Sequence, residues 1–298
     1  VVAFPLPQSA VEAGYRVIGF DSVGSTNAEA MKAAMAGDTG KIWYAALQQT
    51  EGRGRRGRAW ESPHGNLAAS LMLVPDAPAA GLAALGFVAG VALNIALSRL
   101  MPAAAIRSGI DGADGTGVWS GKVGDFSGST ARQNKNFSGG GRARIALKWP
   151  NDVLADGAKL AGILLEAQKR SDGRTAIVIG IGVNVVAAPQ GLPYPATSLA
   201  SLGTPFDAPS VFEALAESWV ECYQTWNNGA GTAQIIRRWR ESAAGIGAEV
   251  AVQRGDGVLR GIFETIDDTG HLIVRDDEGH RIAIAAGDVH FGTTATLR

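Results

Sequence analysis

The apolar positions of this chain change period several times, and each change marks an element. Residues 15–23 (YRVIGFDSV), 42–49 (IWYAALQQ) and 66–74 (NLAASLMLV) read as strands. Continuous apolar runs predict further strands at 144–149, 160–168 and 175–186. Between the first two strands, 25–36 (STNAEAMKAAMA) predicts a helix, with Thr26 as its cap and Glu29 at the capping-box position. From Ala77 to Ser98 no charge occurs, a length that could span a bilayer. Alanine and glycine dominate that stretch, and Asn94 interrupts it, so it predicts a buried helix of a soluble core. Ser210 and Glu213 form a second capping box, opening a helix that puts Val211, Phe212, Leu215, Trp219, Cys222 and Trp226 on one face. Another helix covers 233–242. Beyond Gly245-Ile246-Gly247 come short strands separated by turns such as Asp268-Thr269-Gly270, the pattern of a small all-β module. The domain boundary is therefore expected at 244. Residues 108–141 are rich in Gly and Ser and have no period, which predicts a flexible surface insertion.

Composition narrows the function classes. The chain has 298 residues, 46% of them hydrophobic, enough for a large domain plus a small one. A net charge of −1 lacks the basic excess of a dedicated nucleic-acid binder. A single cysteine, Cys222, excludes a disulfide framework, and the four histidines show no metal-ligand spacing. The N-terminal residues lack a signal-type pattern, so a cytoplasmic protein is expected.

Against that neutral background, GRGRRGRAW (52–60) sets four arginines among three glycines and ends on Trp60. Gly52, Gly54 and Gly57 match the dinucleotide fingerprint formally, but Pro63 and Gly65 follow soon after, where that fingerprint needs a helix. Arg53, Arg55, Arg56 and Arg58 instead offer forked donors suited to phosphate or carboxylate. A solvated basic loop fits the pattern equally. KWPNDVL (148–154) carries a strand out into Pro150 and a turn bearing Asn151 and Asp152. There Lys148 could neutralise phosphate, Asn151 could bond a phosphate or anhydride oxygen, and Asp152 could hold Mg²⁺ or order the site; a plain Asx turn is the alternative. Lys159 opens an apolar strand, either facing solvent or at a pocket mouth. Gly180, Gly182 and Asn184 lie in an apolar run, and glycine weakens a strand unless a ligand or backbone approaches closely.

Taken in order, STN (25–27), QTEGRGRRGRAW (49–60), SPHGNL (62–67), KWPNDVL, KLAGILLE (159–166) and GIGVNV (180–185) resemble the biotin protein ligase family over essentially the whole chain. The resemblance implies an α/β (α+β) fold: a mixed-sheet, class II synthetase-like catalytic domain over 1–244, then a small SH3-like β-barrel over 245–298. It implies that biotin and ATP, with Mg²⁺, form biotinyl-5′-AMP. Biotin then passes to a lysine of the biotin carboxyl carrier domain of a biotin-dependent carboxylase. By the same resemblance Ser25, Thr26, Asn27 and Gln49 line a biotin pocket, and Arg53, Gly54 and Arg55 lie on the loop closing over it. Arg58 meets phosphate, Trp60 stacks on adenine, Asn151 and Asn184 contact the adenylate, and Lys159 holds the biotin carboxylate. Lys159, Arg55, Lys148 and Asn151 are the expected catalytic set, with Asp152 the candidate for Mg²⁺. With STN at residues 25–27, the winged-helix domain of relatives that also repress transcription is not expected here.

Two alternatives define the comparison. A lipoate–protein ligase of the same superfamily resembles another signature, in which a glycine triplet is followed by an aromatic residue; here Gly139–Gly141 precede Arg142-Ala143-Arg144. A nucleic-acid-binding protein using the Arg/Gly loop would need exposed stacking aromatics, and the tail offers Phe263 and Phe291 in an acid-rich setting. No nucleic-acid or membrane partner is expected.

Overall fold

The structure, a computed structural model, describes residues 2–101, 143–254 and 257–291. The expected insertion at 108–141 lies outside the described residues. A helix α1 (Gln8–Glu12) leads into strand β1 (Arg16–Val23), helix α2 (Thr26–Met35), and strands β2 (Ile42–Gln49) and β3 (Leu67–Leu73). Helices α3 (Ala79–Ala83) and α4 (Leu85–Leu100) come next, followed by strands β4 (Ile145–Lys148), β5 (Asp152–Ala155), β6 (Ala158–Lys169) and β7 (Thr175–Val183). Helices α5 (Ala208–Trp226) and α6 (Thr232–Glu241) precede strands β8 (Glu249–Arg254), β9 (Gly257–Ile266), β10 (Leu272–Arg275), β11 (Arg281–Ile284) and β12 (Asp288–Phe291).

Strands β1 to β7 form one mixed sheet in the order β1-β2-β3-β7-β6-β5-β4, with β1 and β2 parallel and the other pairs antiparallel. The remaining strands form a five-stranded antiparallel sheet, β11-β10-β9-β8-β12. Alternation along the central strands separates two apolar faces. Trp43, Leu71, Ile177 and Ile179 join the main core together with α4, α5 and α6. Ile42, Met72 and Val178 face the other way and pack beneath Ala30 and Ala34 of α2. The uncharged stretch becomes the main core's helical floor: Ala79–Leu100 is long and apolar enough to cross a membrane, yet α4 packs along α5 with Val88, Ala89, Leu93 and Leu97 buried.

Both helix caps fall before the residue the sequence suggests, by one place in α2 and by three in α5. Ser25, not Thr26, caps α2, its hydroxyl accepting from Ala28 N–H, which releases the Thr26 hydroxyl for the pocket described below. Asp207, not Ser210, caps α5, its carboxylate accepting from the Ser210 N–H at 3.0 Å and hydroxyl at 2.6 Å. These bonds stabilise the ionised form and hold the Asp207 carboxyl below its usual range. Asp207→Ala is expected to cost about 1 kcal/mol of stability at neutral pH. A depressed carboxylate contributes fully above its unfolded pKa and loses that contribution as pH falls through the folded value. Urea unfolding should therefore separate parent and variant at neutral pH and bring them together in acid; an equal gap at both would refute the charged cap.

Candidate active site

Small side chains hollow out the α2 face of the sheet. The register places Ala46, Ala68, Gly182 and Gly162 side by side across β2, β3, β7 and β6. Ser70, Gly180 and Leu164 make the next row. Over this floor stands a cavity of about 470 Å³, in the size range of small-molecule sites. The glycines in β7 are explained by close approach, although from protein side chains: a Cβ on Gly182 would lie 2.5 Å from the Trp60 indole, and one on Gly180 would collide with the Asn27 amide.

One end of the cavity is neutral and polar. The backbone N–H and hydroxyl of Thr26 both donate to Gln49 Oε1, at 2.8 and 3.0 Å. Asn27 Nδ2 donates to Glu166 Oε2 at 2.6 Å, and Ser70 lies within bonding distance of both Thr26 and Asn27. Ser25, Thr26, Asn27 and Gln49 all line this cavity.

The other end is cationic. Lys159 Nζ pairs with Asp152 Oδ1 at 2.7 Å and lies 5.5 Å from the centres of both the Trp60 and Tyr194 rings. Burial lowers the Lys148 pKa, opposed chiefly by Asp152, and its ammonium sits 5.6 Å from the Phe291 ring. Arg55 donates to Asn151 Oδ1 at 3.1 Å and to the Gly287 carbonyl, while Asn151 Nδ2 donates to Ile163 O at 2.6 Å. Arg55 is pushed down from its usual pKa first by burial, with Arg56 and Arg58 adding repulsion and Asp288 opposing.

The Arg/Gly loop is a hairpin, not a free basic loop. Arg53 bridges Ala59, and Gly54 N–H donates to Arg58 O at 2.7 Å. Trp60 N–H bonds Gly52 O, bringing the Trp60 carbonyl against Gly52, where a Cβ would collide. Arg56 and Arg58 pair with Asp288 at 2.9 and 3.0 Å, and Arg55 approaches it at 3.7 Å. Arg53 is exposed at the cavity edge, next to Gly54.

Sequence reasoning treated the C-terminal module as separate from the site and so missed a wall of it. Asp288, His290 and Phe291 of β12 line the cavity, as does Tyr194 from the loop after β7. Burial and nearby Lys148 hold the His290 pKa below the usual histidine value, which favours its neutral ring. The Pro-Tyr-Pro triplet at 193–195 was the available signal for Tyr194; nothing local marked β12. Asp152 is not on the turn but opens β5, after the cis Trp149–Pro150 bond. Asn184 lies outside the main cavity, in a side cavity of about 60 Å³ that shares Trp60, Lys159 and Tyr194 with it. Its Nδ2 donates to Thr197 O, while its buried Oδ1 has no partner.

Asp152 and Asp288 supply the acidic side chains of the main cavity, and no cluster of three metal-binding side chains occurs among the described residues. That donor set suits Mg²⁺ carried largely by phosphate oxygens, with one carboxylate from the protein.

Residues 39–184 match the model of the biotin/lipoate A/B protein ligase family, and residues 245–292 match that of the biotin protein ligase C-terminal domain. A biotin–[acetyl-CoA-carboxylase] ligase of Paracoccus denitrificans is 36% identical, over 90% of this chain and 97% of that protein. Its counterpart from Mycobacterium tuberculosis is 31% identical over 89% and 85%. Among solved structures, a biotin protein ligase from Aquifex aeolicus in complex with biotin and ATP superposes with a TM-score of 0.67 at 22% identity, covering 93% of this chain and 98% of that one.

Proposed function

The chain belongs to the biotin protein ligase family, and from that premise we propose that it joins biotin to ATP as biotinyl-5′-AMP and passes the biotinyl group to a carrier lysine. The observation that carries this reading is the polarity of the cavity. A neutral hydrogen-bonding end at Thr26, Asn27 and Gln49 suits a ring urea. A cationic end at Lys148, Lys159 and Arg55 suits a carboxylate meeting a phosphate.

A carboxylate is a poor electrophile, so activation precedes transfer. An oxygen of the biotin carboxylate attacks the α-phosphorus of ATP, the bond to the bridging oxygen breaks, and pyrophosphate leaves. Two anions approach in this step; Lys159 and Lys148, with Arg55 and Arg58 on the hairpin, offset their repulsion. Asn151 holds Arg55 in place while its own amide is fixed by Ile163. Trp60 offers its ring to adenine, and Asn184 borders the side cavity beside it. Mg²⁺, with Asp152 as its protein ligand, would neutralise phosphate charge. The carrier lysine amine then attacks the biotinyl carbonyl, an amide bond forms, and AMP departs with the anhydride electrons. The lysine is expected to lie on the biotin carboxyl carrier domain of a carboxylase. A cytoplasmic setting suits the free thiol of Cys222, whose burial pushes its pKa up to about 12.

Incubation with biotin, Mg²⁺ and α-labelled ATP tests the reading. Biotin-dependent release of pyrophosphate and a labelled acyl-adenylate are expected. Equal turnover with lipoate, or none with biotin, would overturn it.

A further inference from the structure

Four side-chain oxygens run in a line at the neutral end of the cavity: Gln49 Oε1, Thr26 Oγ1, Ser70 Oγ and Asn27 Oδ1. Successive separations are 3.0, 2.7 and 2.5 Å. These three contacts need three hydrogens, but the two hydroxyls, Thr26 and Ser70, supply two. Gln49 Oε1 also accepts the Thr26 N–H, so its oxygen faces the line and its amide cannot turn to supply the third.

Turning the Asn27 amide would cure the shortage, because Nδ2 could then donate to Ser70. Glu166 forbids this. Its carboxylate accepts at 2.6 Å from Asn27 Nδ2, and a turned amide would set two acceptor oxygens face to face. Glu166 itself is exposed and does not line the cavity.

We propose that Glu166 is a positioning residue that sets ligand specificity: by fixing the Asn27 carboxamide with its oxygen inward, it makes this end of the cavity short of donors and selective for a ligand that brings N–H groups. The proposal rests on the biotin-binding reading above and deepens it. The ureido ring of biotin carries two N–H groups, which a ring bearing oxygen in place of one of them cannot match. Discrimination of this kind is strong where a site's polar atoms would otherwise stay unpaired.

The test compares biotin with the two cyclic carbamate analogues, in each of which oxygen replaces one ureido N–H. Adenylate formation is measured for the parent, Glu166→Gln and Glu166→Ala. Glutamine can donate as well as accept, and alanine does neither, so both variants free the Asn27 amide to turn. In each variant KM for biotin should rise about tenfold, the equivalent of one hydrogen bond, with kcat and the KM for ATP unchanged. For the analogue lacking the N–H that faces Asn27, discrimination should narrow from about a hundredfold in the parent to a few-fold in the variants. A pocket that merely loosened would raise KM for biotin and both analogues alike. Parent-like discrimination in both variants, with or without a change in KM, would overturn the proposal. Failure of the parent to use biotin at all has a different signature: it removes the reading of the site, and this proposal with it.

Discussion

Lys159→Gln should lower the rate of adenylate formation about a hundredfold, the loss expected when a charged contact of about 2–3 kcal/mol is removed from the transition state. Glutamine keeps most of the length and the polarity of lysine, so the difference isolates the charge. That charge lies in a setting where it counts: the Lys159 side chain is 16% exposed, between the Trp60 and Tyr194 rings, at the meeting point of the main and side cavities. Its ion pair with Asp152 offers a competing explanation, since a lysine that merely neutralised Asp152 would also be missed. The double variant Lys159→Gln/Asp152→Asn, compared with the single variant Asp152→Asn, separates the two. If Lys159 serves the reacting anions, the double variant runs about a hundredfold below Asp152→Asn. If it serves Asp152, the two run at the same rate, and the catalytic role fails. Unfolding curves should show all three variants folded.

Legibility in the sequence followed the range over which each signal acts. The central strands were readable because both faces of β3 and β7 are covered, leaving unbroken apolar runs such as LAASLML and TAIVIGIGV. Strand β5 was not, because DVLA has four residues and directly follows a turn. The single apolar run RIAIAAGDV (281–289) belongs to two strands, β11 and β12, since the Ala-Ala-Gly between them leaves the sheet. Residues of the biotin-type motifs converged on one cavity because each motif sits at a strand end or helix start on the same side of the sheet. Asp288 carried no local signal, and its meaning is set by Arg56, 232 residues away. The Gly180 and Gly182 puzzle was posed correctly by the sequence, but its answer, an asparagine amide and an indole lying against the strand, needed the third dimension.

Arg55→Gly should separate two functions of the hairpin. The Arg55 side chain is 27% exposed and links the hairpin to Asn151 and the Gly287 carbonyl. Its loss should weaken binding of biotin and its adenylate by about 1.5–3 kcal/mol, the value of one charged hydrogen bond. A mixed anhydride acylates any accessible amine, so a cavity that retains it also protects bystander proteins. Loosening one side of the hairpin should therefore raise biotin labelling of an unrelated lysine-rich protein several-fold, with parent and variant matched for total adenylate made. Arg56→Gly supplies the control. Arg56 shares Asp288 with Arg58 but does not line the cavity, and its φ of 56° is one that glycine adopts without strain. It should weaken the contact to Asp288 while leaving retention close to parental. Equal leakage from both variants would mean that the Asp288 clasp, rather than the Arg55 charge inside the cavity, guards the adenylate. No leakage from Arg55→Gly would mean that the hairpin binds ligand without confining it.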